Sequence, residues 1–211
     1  MKTKKMFCLI TALLFIIDCS ALLLQSDSVI IRVHFLHGSK PKRQFRHEED
    51  RWFGGILGGH AGIEINPNKI FNFQPKSRPH LFSKRNIINS KFSIHDSISF
   101  YEILGGKFDS VKKTIISIKI SAKQKTILDS IVTAYTKRCP YDYAFFGMRC
   151  GAAAYDVLAQ TGVVRKLPFK KTWRRTFYPR KLRRLLEYGN IKGVVSIRKV
   201  QGSNKRKWEK D

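Results

Sequence analysis

Two cysteines and one histidine carry most of the chemistry this 211-residue chain can offer. Cys8 and Cys19 fall in an apolar N-terminal run, which leaves Cys139 and Cys150 in the remainder. Cys150 opens the stretch Cys-Gly-Ala-Ala-Ala-Tyr-Asp-Val-Leu-Ala-Gln, whose close-packing alanines and following Gly162 describe a helix with Cys150 at its start. A thiol there is activated, because the unpaired backbone N–H groups and the macrodipole of a helix N-terminus favour the thiolate. Two plainer readings stand beside this one: a small apolar helix residue, or half of a disulfide with Cys139 in an oxidising compartment. A thiol nucleophile also needs a base. Of the six histidines, only His60 follows a Gly-Gly pair at the start of a strand, where its ring can face an open groove. His34, His37, His47, His80 and His95 lie in less defined surroundings, and a strand histidine can equally be a hydrogen-bonded structural residue.

These residues must be positioned by elements that the hydropathy pattern outlines. Val29 to Phe35 is a β-branched run, and the charged stretch 38–51 connects it to a core beginning near Trp52. His60-Ala-Gly-Ile-Glu-Ile and Lys69-Ile-Phe-Asn-Phe-Gln read as antiparallel strands joined by the turn Asn66-Pro67-Asn68. Ser97–Leu104 and Lys113–Ser121 alternate apolar and polar residues and read as further strands with one face covered. Ser121 caps a helix predicted over 122–136, with Ile127, Ile131, Val132 and Tyr135 as its core stripe. Beyond Arg165 comes a basic segment in which Leu182, Leu185 and Leu186 mark an amphipathic helix and Val194 to Val200 a last strand.

The pattern GGHAGIEI, then NKIFNF, then much later YDYAFFGMRCGAAAYDVL resembles the circularly permuted NlpC-type papain-like hydrolases, relatives of lecithin retinol acyltransferase, over roughly 52–162. The resemblance implies an α+β fold in which an antiparallel sheet packs on helices and the nucleophile opens a helix. It also implies Cys150 as nucleophile, His60 as base and, on the strand after the turn, Asn72 as the residue that orients the imidazole. Glu64, on the same strand face as His60, and Gln74 are the alternatives for that third role. The backbone N–H of Cys150 is the implied first oxyanion donor, and Tyr143 falls where relatives line the substrate groove with an aromatic ring. Met148-Arg149 before the cysteine and Gly151 after it depart from the family's Asn or Asp before and Ser after.

Composition frames the function. Lys2, Lys4 and Lys5 precede the apolar run Phe7 to Ile17, a secretory pattern whose small residues suit a cut after Ala21; a retained anchor or lipidation at Cys19 are the alternatives. The expected organisation is therefore a signal peptide at 1–21, an N-terminal extension at 22–51, a catalytic core at 52–164 and a partly docked basic segment at 165–211. The protein is expected to be exported, periplasmic or envelope-associated. A net charge of +26 points to polyanionic surroundings such as an anionic envelope surface. Metal ligation is disfavoured for want of a close His/Cys/Asp cluster, GGILGGH lacks the Lys-Ser pattern of a phosphate loop, and no cofactor is expected.

Three functions follow. The first is an exported cysteine peptidase or amidase acting on peptide or cell-wall amide bonds. The second is a lipid ester hydrolase or acyltransferase using the same dyad. The third is a non-catalytic basic module that holds an anionic polymer or membrane surface through RKLPFKKTWRRTFYPRKLRRLL, with Arg174, Arg175, Arg183 and Arg184 as its contacts. Nucleic acid is not an expected partner.

Overall fold

A computed structural model describes residues 28–52, 55–84 and 88–210, so the expected signal peptide lies outside the described residues. Its centre is a six-stranded sheet formed by β1 (Ser28–His37), β3 (Gly59–Asn66), β4 (Lys69–Pro75), β6 (Ser90–His95), β7 (Lys113–Ser121) and β9 (Val194–Val200). The order is β6-β4-β3-β1-β7-β9, and every neighbouring pair is antiparallel. Two short ribbons flank it: β2 (Ser39–Pro41) with β10 (Arg206–Trp208), antiparallel, and β5 (His80–Phe82) with β8 (Ala144–Phe146), parallel. Besides three short 3-10 turns, the described residues form five α-helices: α1 (Ser97–Glu102), α2 (Ala122–Lys137), α3 (Cys150–Gln160), α4 (Phe169–Arg175) and α5 (Pro179–Tyr188).

Alternation along the strands sends side chains to opposite faces of the sheet. Ile31, Val33 and Phe35, Ala61, Ile63 and Ile65, Phe71 and Phe73, and Ile116, Ile118 and Ile120 form the main core with Leu128, Val157, Leu158, Leu182 and Leu186 from the helices. A smaller core of Ile70, Phe100, Tyr101, Trp52, Val111 and Leu36 gathers around α1. The β3–β4 turn is closed by Asn68, whose left-handed φ of 57° suits asparagine. The α2 cap is reciprocal: Ser121 Oγ accepts from the Gln124 backbone N–H, and Gln124 Oε1 accepts from the Ser121 N–H.

The structure corrects the sequence reading in four places. Ser97–Leu104 is not a strand: Asp96 caps α1 by accepting from the Ser99 N–H at 2.8 Å, and the helix buries Phe100 and Tyr101 as adjacent residues. Eight residues of mixed polarity fit either period, and here the Asp cap decides. On α2 the buried stripe is Leu128, Ile131 and Val132, with Tyr135 half-buried, whereas Ile127 is exposed. The strand expected in an N-terminal extension is β1, which lies between β3 and β7 in the interior of the sheet.

The basic C-terminal segment also does more than dock, since it supplies β9 to the sheet edge and β10 to a ribbon. Two of its arginines are buried. Arg183 pairs with Glu209 at 3.4 Å, and Arg206 donates to Glu49 at 2.8 Å and to Ser39 at 2.8 Å while lying over the Trp52 ring. The architecture is α+β. Among the described residues no helix is long and apolar enough to cross a membrane.

Candidate active site

Cys150 is the first residue of α3, after an extended Arg149, and is almost wholly buried. Its position is set from two sides. α3 packs on β3 and β4, and Gly151 lets the start of the helix meet the α4–α5 connection, because a Cβ there would sit 3.0 Å from Pro179. The sulfur faces the first residues of β3, 4.0 Å from the Gly59 carbonyl, with Ala61 and His60 as the neighbours that act on it. Cys139 and Cys150 are both free thiols, so the disulfide alternative does not form.

His60 and Asn72 come together through strand register. Asn72 pairs with Gly62, and His60 lies on the same face two residues away. Gly62 has to lack a side chain, since a Cβ would lie 2.6 Å from the Ile70 methyl, 2.7 Å from the Phe100 ring and 3.2 Å from Asn72 Cβ. The Asn72 amide is oriented by its NH2 group, which donates to the Ile70 and Ser93 carbonyls, both at 3.1 Å. Its Oδ1 is thereby turned to His60 Nε2 at 3.0 Å. A carbonyl oxygen only accepts, so His60 Nε2 carries a proton, and Nδ1 is left for the thiol. Phe100 covers the imidazole, ring centroids 5.3 Å apart.

The electrostatics follow from this geometry. Burial alone would push the Cys150 thiol up. The charge of His60 and the hydrogen bond to it, helped by Arg149 and the Ala61 N–H, outweigh burial and hold the thiol at about 7. Burial likewise pulls His60 down, and the Cys150 charge, the Cys150 hydrogen bond and the Asn72 hydrogen bond reverse this to a net rise. The partners shift in opposite directions, as a thiolate–imidazolium pair requires.

Beside the pair lies a cleft of about 330 Å³, lined by His60, Gln74, Tyr143 and Arg149, with Ile103, Leu104, Pro75 and Pro79 as an apolar wall. Tyr143 lies in that lining as a neighbour of Cys150 and Arg149, and its ring stacks on Phe73 at 5.2 Å. Gln74 lines the cleft, but it is Asn72 that bonds His60; the Gln74 Nε2 is buried without a hydrogen-bond partner. Glu64 is drawn elsewhere along β3. It accepts from His34 at 3.0 Å, from Arg32 at 3.3 Å and from the Asn68 N–H at 3.0 Å, and the His34 hydrogen bond leads the effects that hold its carboxyl at about 2.

Sequence reasoning passed over two residues. Arg149 appeared only as a departure from a family pattern, yet its guanidinium lies against Phe177, Tyr178 and Phe145, at 4.8, 5.4 and 5.5 Å from the ring centroids, and lowers the neighbouring thiol. The signal that could have found it was its position next to the cysteine. His95 lies on β6 with its Nδ1 3.3 Å from Asn72 Nδ2, behind the orienting residue. Nothing local to its sequence indicates this, because it follows from the β4–β6 pairing. No family model, curated protein or solved structure matches the chain.

Proposed function

We propose that the protein is an exported cysteine hydrolase on a permuted papain-like, NlpC-type fold, cleaving an amide bond of a peptide or cell-wall peptide. The observation that carries this reading is His60 with two partners: Asn72 Oδ1, 3.0 Å from its Nε2, and the Cys150 thiol at the start of α3, which acts on the same imidazole. In the proposed reaction the Cys150 thiolate attacks the substrate carbonyl carbon, and the carbonyl π pair moves onto oxygen. That oxyanion is met by the Cys150 backbone N–H, which as the first of a helix has no intrahelical acceptor. The second donor is Gln74 Nε2, a buried donor without a partner on the cleft wall. Collapse expels the amine, which takes its proton from His60, and leaves a thioester on Cys150. His60 then deprotonates a water that attacks the thioester, releasing the carboxylic acid and restoring the pair.

The apolar wall of Ile103, Leu104 and Pro79 favours a second reading on the same dyad, in which the acyl group comes from a lipid ester and passes to water or another acceptor. A purely basic binding module is less well supported, because Arg183 is spent on Glu209 inside the fold.

Alkylation across a pH series with peptide mapping tests the proposal. Cys150 should label well below its ordinary pKa of about 8.5, and His60→Ala should abolish that early labelling while Cys139 behaves alike in both proteins. Equal labelling of Cys150 with and without His60 would sink it.

A further inference from the structure

The β5–β8 ribbon exposes more apolar surface than its surroundings explain. Phe82 pairs with Phe146 across it, and the two rings stack with centroids 5.4 Å apart. Phe82 is 63% exposed, Phe146 44%, Leu81 59%, Phe145 46%, and Phe169 on the neighbouring α4 50%. A groove joins Phe82, Phe146, Phe169 and Trp173 into one surface, so this is a contiguous patch rather than scattered exposed residues.

Charge decides what would cover the patch. The groove carries Lys84, Lys170 and Arg174, and among the described residues its only carboxylate is Asp142. Asp142 is buried and turned inward, bonded to His80 at 2.7 Å and to the Lys84 and Asn89 backbone N–H groups. The outward face is therefore aromatic and cationic. The same Asp142 contacts tie the ribbon to the chain before β6.

We propose that this face docks on an anionic lipid bilayer, with Phe82, Phe146 and Phe169 entering the interface and Lys84, Lys170 and Arg174 meeting the phosphate headgroups. Large apolar side chains among Lys and Arg satisfy both layers of that boundary, with the long basic stems reaching from the acyl region to the headgroups. The ribbon also leads directly to the cleft, since β8 ends at Phe146 and Arg149 stacks on Phe145 just before Cys150. Docking would hold the cleft at the membrane surface. The proposal is independent of any chemistry at Cys150.

The test is hydrogen exchange on the full chain with vesicles of phosphatidylcholine, with and without phosphatidylglycerol. Reading protection peptide by peptide separates this face from any contribution of the apolar N-terminus. Segments 80–84, 144–146 and 169–174 should gain protection on the anionic vesicles only. Phe82→Ser with Phe146→Ser, and separately Lys170→Glu with Arg174→Glu, should each weaken the vesicle concentration dependence of that protection by about tenfold or more. Lys40→Glu with Lys207→Glu, on the β2–β10 ribbon, should leave it unchanged. Unprotected segments, equal protection on neutral vesicles, or indifference to the Phe and Lys/Arg changes would overturn the proposal. So would protection that needs no vesicles and grows with protein concentration, which would assign the face to a second copy of the chain.

Discussion

Replacing Asn72 by alanine removes the acceptor from His60 Nε2 at 3.0 Å while leaving the thiol and imidazole in place. A hydrogen bond to a charged partner is worth about 1.5–3 kcal/mol net and one between neutral groups about 0.5–1.5. The acceptor therefore favours imidazolium over imidazole by about 1–1.5 kcal/mol, close to one pKa unit. The ion pair should then be about tenfold less populated relative to the neutral thiol–imidazole pair, with alkylation of Cys150 at pH 6 slowed by up to that factor. The same change takes the amide NH2 from the Ile70 and Ser93 carbonyls, at a stability cost of about 1–3 kcal/mol. Asn72→Asp separates the two effects. A carboxylate keeps an acceptor for His60 but turns its other oxygen on those carbonyls, so melting should fall while alkylation at pH 6 does not slow. The assay is the alkylation rate of Cys150 from pH 5 to 9 by mass spectrometry, with thermal melts alongside. An Asn72→Ala profile superimposable on wild type, with only the melt lowered, would make Asn72 a structural residue and refute the argument.

Glu64→Gln should leave Cys150 alkylation unaltered. Glu64 is depressed to about 2, chiefly by its His34 hydrogen bond, so the stability it adds is present above the ordinary carboxyl range and is lost as pH falls from about 4.5 towards 2. After allowance for screening of the exposed Arg32, that limb is on the order of 2 kcal/mol, and melts of the Gln variant over this range should be flatter than wild type. Gln74→Ala should leave alkylation intact but slow acylation by an activated ester by about 10²-fold, because only acylation builds an oxyanion; equal slowing of both would remove Gln74 from that role. Gly62→Ala forces a Cβ to within 2.6 Å of Ile70 and should destabilise by about 1–3 kcal/mol in denaturant titrations.

Local signals carried much of this structure. Extended or alternating patterns marked β3, β4, β7 and β9, and Ser121 as a cap marked α2. The Cys-Gly-Ala-Ala-Ala start marked α3. Pairing was harder to read: nothing in Val29–Phe35 says that it lies between β3 and β7, because that follows from strands distant in sequence. The short run Ser90–His95 shows little strand pattern, yet as β6 it brings the Ser93 carbonyl and His95 to Asn72. His60 and Cys150 stood out as candidates because each lies at or next to the start of an element beside glycines. Arg149 was not, because its setting is made by Phe145, Phe177 and Tyr178 meeting from different segments. The high charge misled in one respect, since Arg183 and Arg206 are buried in the fold.

If Cys150 forms a thioester with substrate, that thioester can be trapped. The protein would be mixed with an activated acyl ester and followed by intact mass and peptide mapping. One acyl group should appear on Cys150, be lost on standing in water, be absent in Cys150→Ser and form much more slowly in His60→Ala. Acylation of Cys139 alone, or of Cys150 at the same rate without His60, would contradict the proposed reaction.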